Sequence, residues 1–198
     1  MVALRAGARG RLTGDMAEPS GATEREDRIV IPAVGADGAL FPIGKMEAHR
    51  KAQLHLAVSV FVFDPSGRLL IQRRASAKYH CGGLWANTVC THPHWNEPLS
   101  RTAERRLEEE LGLRSGNLRE RLTIDYRAEV GGGLVENERV TIFTGEADED
   151  VVLRPDPDEV ESVAWASPDE LDRRLRTEPQ TLTPWFRIYL ERFPGLAF

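Results

Sequence analysis

The chain has 198 residues, 41% of them apolar, with 26 Lys and Arg against 31 Asp and Glu and a formal net charge of −5. That is enough to bury the core of one ordinary domain, and the acidic balance excludes the basic footprint of a nucleic-acid surface or of attraction to anionic membranes. Two cysteines, Cys81 and Cys90, make no disulfide framework, and no apolar run reaches the ~18 residues of a membrane span. A soluble protein of a reducing, cytoplasmic compartment is expected, with a small-molecule partner, no nucleic acid and no membrane insertion.

Residues 1–26, rich in Gly, Ala, Arg and Glu, show no sustained apolar period and read as a disordered arm. Their first fourteen residues are basic and acid-free like a transit peptide, but an unstructured leader, or an over-extended start ahead of Met16, fits them better. Residues 27–198 read as a single domain. In "LHLAVSVFVF" (54–63) the period of two puts Leu54, Leu56, Val58, Val60 and Val62 on one face and His55, Ala57, Ser59, Phe61 and Phe63 on the other. A turn at "DPSG" and the strand "RLLIQRR" complete a hairpin. A helix is predicted from about Ser100 to Leu111. Strands follow at "LTIDYRAEV", "LVENERVTIFTGEA" and "VESVAWAS", the first two joined across Gly131 to Gly133. Helices then run from Pro168 to Arg176, with Ser167 as N-cap, and from Pro184 to Phe193. Strands and helices intermix in one core, so the class is α+β, a mixed central sheet flanked by helices.

The helix "SRTAERRLEEELGL" turns Ala103, Leu107 and Leu111 toward the core, and Arg106 and Glu110 fall in the same arc. An i,i+4 ion pair that merely supports the helix is the plain reading, worth a few tenths of a kcal/mol, roughly. In "VENE", Glu136 and Glu138 are two apart on a strand and point to one side, where they repel unless a metal or a proton lies between them. A solvated strand face is the alternative. "NTVCTHPHW" (87–95) sets Cys90 two residues before His92 and four before His94. Taken alone, it fits half a zinc site, a nucleophile with its base, or a thiol beside two unrelated imidazoles.

The frame around the helix resembles the Nudix box, G-x5-E-x7-R-E-U-x-E-E-x-G-U with U a bulky aliphatic. Its positions fall on Thr91, Glu97, Arg105, Arg106, Leu107, Glu108, Glu109, Glu110, Leu111, Gly112 and Leu113. Thr91 stands at the opening glycine and Arg106 at a glutamate that Nudix hydrolases use to hold metal. A guanidinium there pairs with phosphate oxygens as a fork. The helix is thus fitted to hold a diphosphate and poorly equipped to hydrolyse it.

Type I isopentenyl-diphosphate isomerases, the Nudix branch with such a degenerate box, resemble the chain from about Ile43 to Tyr189. The matching segments are "HLAVSVFVF", "LLIQRRASAK", "GLWANTVCTHP", "RRLEEELGL", "YRAEVGGGLVENE" and "TPWFRIYL". The resemblance implies a Nudix-type α/β/α fold and interconversion of isopentenyl and dimethylallyl diphosphate, with acid/base roles for Cys90 and Glu138. It places Tyr126 near the carboxylate, Trp185 over the C5 unit, and Arg74, Lys78 and Arg106 on the diphosphate. Metal ligation falls to His49, His55, His92, Glu136 and Glu138, a set suited to Zn²⁺, Mn²⁺ or Fe²⁺, and Glu110 would hold Mg²⁺ with the diphosphate. The six residues from His49 to His55 are one fewer than the family pattern, which a bulge would absorb. Gly82 stands where proline is frequent and would loosen its loop. His80 and His94 match no ligand position and read as surface or loop residues, Cys81 reads as a bystander, and Trp85 as core or pocket wall. A monomer or weak homodimer is expected. The rivals are a Nudix hydrolase of a nucleoside or isoprenoid diphosphate and a non-catalytic protein with a structural metal.

Overall fold

A computed structural model describes residues 26, 28–115, 117–148 and 150–198. Apart from Glu26, the arm expected at 1–26 lies outside the described residues. Elements follow in the order β1 (Val30–Val34), β2 (Leu40–Gly44), α1 (Lys45–Arg50), β3 (His55–Phe63), β4 (Leu69–Arg74), β5 (Trp85–Ala86), β6 (Val89–Thr91) and α2 (Leu99–Leu111). After these come β7 (Arg119–Gly131), β8 (Leu134–Glu146), β9 (Val160–Ala166), α3 (Pro168–Thr177) and α4 (Pro184–Arg192). Among the described residues no helix is long and apolar enough to cross a membrane.

The strands form one mixed sheet organised around β3, which pairs with β1, β4, β6 and β8. Its parallel pairing with β8 runs unbroken from His55↔Glu138 to Phe63↔Glu146. The alternation read in the sequence is present, and both faces of β3 are buried. Val58, Val60 and Val62 pack with Ala103, Leu107 and Leu111 of α2. Ala57 and Phe61 pack on the opposite side with Leu171 of α3 and Trp185, Phe186 and Tyr189 of α4. The sheet is therefore covered by helices on both faces, an α+β arrangement. Full burial of a side chain such as Leu107 contributes about 1.5–3 kcal/mol.

The local signals act as their chemistry dictates. Ser167 and Glu170 form a reciprocal capping box at the start of α3, with Pro168 in the first turn. Gly112 ends α2 in the left-handed region at φ 63°, and the N–H of Leu113 returns to the Leu107 carbonyl. A Cβ at Gly112 would also lie 2.8 Å from that of Arg154.

Candidate active site

Three imidazoles and a carboxylate meet at the end of β3 and β8. His49, in the last turn of α1, His55 at the start of β3, His92 just after β6 and Glu138 on β8 are buried, and one ligand atom from each lies within 4.8 Å of the others. Nδ1 of His49 lies 2.7 Å from the Lys45 carbonyl and Nδ1 of His55 lies 2.7 Å from that of Gln53. A carbonyl only accepts, so both protons sit on Nδ1 and both Nε2 atoms face the cluster. Nε2 of His49 has no hydrogen-bond partner.

The short His49–His55 spacing is not absorbed by a bulge, because the β3–β8 register is unbroken. The adjustment lies ahead of β3. Ala52 takes φ 49°, the N–H groups of Ala52 and Gln53 return to His49 and Ala48, and the Gln53 side chain donates to the Val34 carbonyl at 2.8 Å. A tight turn thus joins α1 to β3 across the six-residue spacing.

Glu136 and Glu138 point to one side, as their spacing requires. The Tyr126 hydroxyl donates to Glu138 and lies 3.1 Å from Oε2 of Glu136. Burial pushes the Glu138 carboxyl up, but hydrogen bonding and charge from His55 and the Tyr126 contact outweigh it and hold the group below the usual carboxylate range. Burial pulls His49 down to about 4 and His92 well below the ordinary imidazole value. Burial also pulls on His55, but its contact with the Glu138 carboxylate outweighs this and raises it. Three buried imidazoles, one with an unpartnered Nε2, beside two carboxylates fit a divalent cation.

Cys90 lies on β6 opposite Ser59 of β3, its Sγ 3.3 Å from Ser59 Oγ, which is 2.8 Å from the Tyr189 hydroxyl. Burial, then the negative charges of Glu138 and Glu136, raises the thiol well above its ordinary value. Cys90 and Glu138 line one pocket, which Trp185 and Arg74 also line. The Arg74 guanidinium stacks 5.3 Å from the Trp185 ring centre, and Trp185 is 1% exposed. Trp185 lines the pocket and also packs α4 into the core.

Arg74, Lys78 and Arg106 line the same pocket. Arg106 pairs with Glu110 at 2.6 Å and reaches Glu159 at 3.3 Å, and Lys78 pairs with Glu159 at 2.7 Å. The supporting i,i+4 pair on α2 is thus formed, while Gln72 donates to the other Glu110 oxygen at 2.7 Å. Glu97 holds Arg105 through two hydrogen bonds of 2.7 and 2.8 Å, anchoring the loop before α2 to the helix.

Several residues escaped the sequence reading. Lys45, Ser59, Glu159 and Tyr189 carry no local signal, being brought in by tertiary pairing. His80, expected as a surface or loop residue, does lie on a loop but is a correction as to exposure: it is 7% exposed, and its Nε2 lies 3.1 Å from Oε1 of Glu136. Gly82 is another, since a Cβ there would lie 2.5 Å from the Ser76 carbonyl oxygen; glycine makes this loop tighter. His94 is exposed, as expected, and both cysteines are free.

The NUDIX domain family model matches residues 53–186. An isopentenyl-diphosphate Delta-isomerase of Roseobacter denitrificans is 49% identical over 170 residues, covering 86% of this chain and 96% of that protein. One from Dinoroseobacter shibae is 50% identical over 161 residues, covering 81% and 90%. Among solved structures, a protein of Deinococcus radiodurans shares the fold with a TM-score of 0.66 at 14% identity, over 82% of this chain and 98% of that one. A MutT NUDIX hydrolase of Burkholderia pseudomallei is similar with a TM-score of 0.54 and 26% identity, over 70% and 97%. The chain belongs to the NUDIX family and, within it, to the isopentenyl-diphosphate Delta-isomerases.

Proposed function

We propose that the chain interconverts isopentenyl and dimethylallyl diphosphate, with Cys90 and Glu138 exchanging the two protons. The observation that carries this reading is a single pocket lined by the Cys90 thiol, the Tyr126-bonded Glu138 carboxylate and the Trp185 indole. Moving the double bond requires a proton delivered to the terminal CH₂ and another removed from the carbon next to CH₂O, through a tertiary carbocation. An acid and a base that exchange roles in the back reaction meet that need. The protonated state of Cys90 suits it to give the first proton, and the ionised state of Glu138 suits it to take the second.

Tyr126 orients the Glu138 carboxylate through its hydroxyl. Trp185 presents an electron-rich face to the developing cation, a contact worth roughly 0.5–2 kcal/mol, and its burial helps keep water from the carbocation. Arg74, Lys78 and Arg106 bind the diphosphate, and binding draws Lys78 and Arg106 from Glu159 toward phosphate oxygens. A divalent cation of the Zn²⁺, Mn²⁺ or Fe²⁺ type, held by His49, His55, His92, Glu136 and Glu138, would neutralise the two carboxylates and keep Glu138 in place. Glu110 would hold Mg²⁺ against the diphosphate.

The test is proton and phosphorus NMR of the metal-supplemented protein with isopentenyl diphosphate in D₂O. Deuterated dimethylallyl diphosphate with its diphosphate intact supports the isomerase. Phosphate release without a new alkene would sink it in favour of a hydrolase.

A further inference from the structure

Beside the ligand set named above stands one more buried imidazole without a role. His80 lies on the loop between β4 and β5, and its Nε2 is 3.1 Å from Oε1 of Glu136. Neither of its ring nitrogens, however, has a hydrogen-bond partner. The separation suits a hydrogen bond and the direction does not. Two ligand atoms this close and not bonded to each other are free to serve a common third point.

His49 supplies the third donor. Its orphaned Nε2 belongs to a second group, His49, His80 and Glu136, whose ligand atoms also lie within 4.8 Å of one another. Ligand atoms across a cation with bonds of about 2.1 Å are separated by up to about 4.2 Å, so small adjustments close the set. The loop is built to keep His80 there. The Arg74 N–H donates to the Leu84 carbonyl at 2.9 Å and the Gly83 N–H to the Arg74 carbonyl at 3.0 Å. Gly82 permits the close approach to Ser76, and the Trp185 and Tyr79 rings lie 5.8 and 4.2 Å from the imidazole.

We propose that His80 is a further ligand to the divalent cation of this site, entering through Nε2 beside Glu136. The two groups, joined through His49, then hold four imidazoles and two carboxylates, and the added nitrogen biases the site toward Co²⁺ and Zn²⁺ over Mn²⁺. This inference rests on the reading of the His/Glu cluster as a metal centre.

The test uses the full chain, stripped with chelator and titrated with Co²⁺, as wild type, His80→Ala and His80→Gln. Affinity is read by competition with a chelating dye, geometry by the Co²⁺ d–d absorption, and folding of the metal-free proteins by circular dichroism. Wild type is expected to bind one Co²⁺, and both variants to bind it at least about tenfold more weakly with a shifted d–d spectrum. Their preference for Co²⁺ over Mn²⁺ falls as well. The Gln variant keeps bulk and polarity, so it separates loss of a ligand from failure to fold; His94→Ala, an exposed control, leaves binding unchanged. Wild-type affinity in both variants, or weaker binding with an unaltered spectrum, overturns the assignment of His80 and leaves the metal centre standing. Failure of the wild type to bind Co²⁺ overturns both.

Discussion

His55 and His92 face each other through their Nε2 atoms at 3.1 Å, and the same His92 nitrogen lies 2.7 Å from Oε1 of Glu138. With its proton on Nδ1, His55 can only accept at Nε2, as the carboxylate does, and a single N–H of His92 does not serve both. A cation among the three satisfies all of them at once. A cation that binds the folded state alone stabilises it by about 2.7 kcal/mol at a hundred times its dissociation constant, a rise of roughly 5–10 °C in Tm for a domain of this size. Scanning calorimetry of chelator-stripped protein with and without added Mn²⁺ or Zn²⁺ checks this. The shift is expected to be lost in His92→Ala, and an unmoved midpoint in the wild type counts against the metal centre.

Burial and the two glutamates raise the Cys90 thiol well above its ordinary value, and under the proposed function its proton is the one transferred, so its removal should be specific. Cys90→Ala is expected to lower kcat by at least 100- to 10,000-fold, roughly the worth of a positioned general acid, with little change in Tm. Ser59→Ala removes only the hydroxyl 3.3 Å from the sulfur and should cost less. Steady-state rates for both variants decide the matter: a Cys90→Ala protein of near wild-type kcat would end the acid/base assignment.

Arg106 is the departure from the Nudix box that most separates this helix from a hydrolytic one. Its partners, Glu110, Glu109 and Glu159, can release it to a phosphate, and a hydrogen bond to a charged group contributes about 1.5–3 kcal/mol. Arg106→Gln should therefore raise KM for isopentenyl diphosphate about 10- to 100-fold and change kcat little, the signature of binding lost equally from ground and transition states. A fall confined to kcat would place Arg106 at the reacting carbons instead of the diphosphate.

What could be read in the sequence was what local pattern encodes. The faces of β3, the inward arc of α2 and the Ser167 cap follow from periods of 2 and 3.6 residues and from hydrogen-bond chemistry, and they stand in the structure. Glu136 and Glu138 were legible as a pair because i,i+2 on a strand fixes direction. Cys90 and His92 were ambiguous until the flanking segments were placed beside a known family. His80 was not legible: its burial depends on a loop closed by backbone contacts and on Gly82 approaching Ser76, neither of which leaves a periodic trace. Glu159 was missed because it meets Lys78 and Arg106 only after β9 pairs with β4. Strands β1 and β2, with α1 between them and β3, fall before the first clear alternation, in a segment whose prolines and glycines mask the pattern.

Glu97 occupies a position of the Nudix box, yet it contacts Arg105 and the backbone N–H of His94. Burial raises its carboxyl, but the Arg105 hydrogen bond and the His94 N–H outweigh it and hold the group at about 2. A folded value below the unfolded one stabilises the protein above about pH 4.3, the unfolded value, and that contribution is lost as pH falls from there through about 2. Glu97→Gln is thus expected to lower stability near neutrality by about 1 kcal/mol, in keeping with a partly exposed, forked ion pair. The difference from wild type should shrink between pH 4 and pH 2, roughly, as the wild-type carboxyl takes up its proton. Denaturant unfolding of both proteins across that range tests it. A stability gap that stays constant to the acid end would assign the loss to packing, whereas one that closes assigns it to the charge that ties the approach of α2 to the helix.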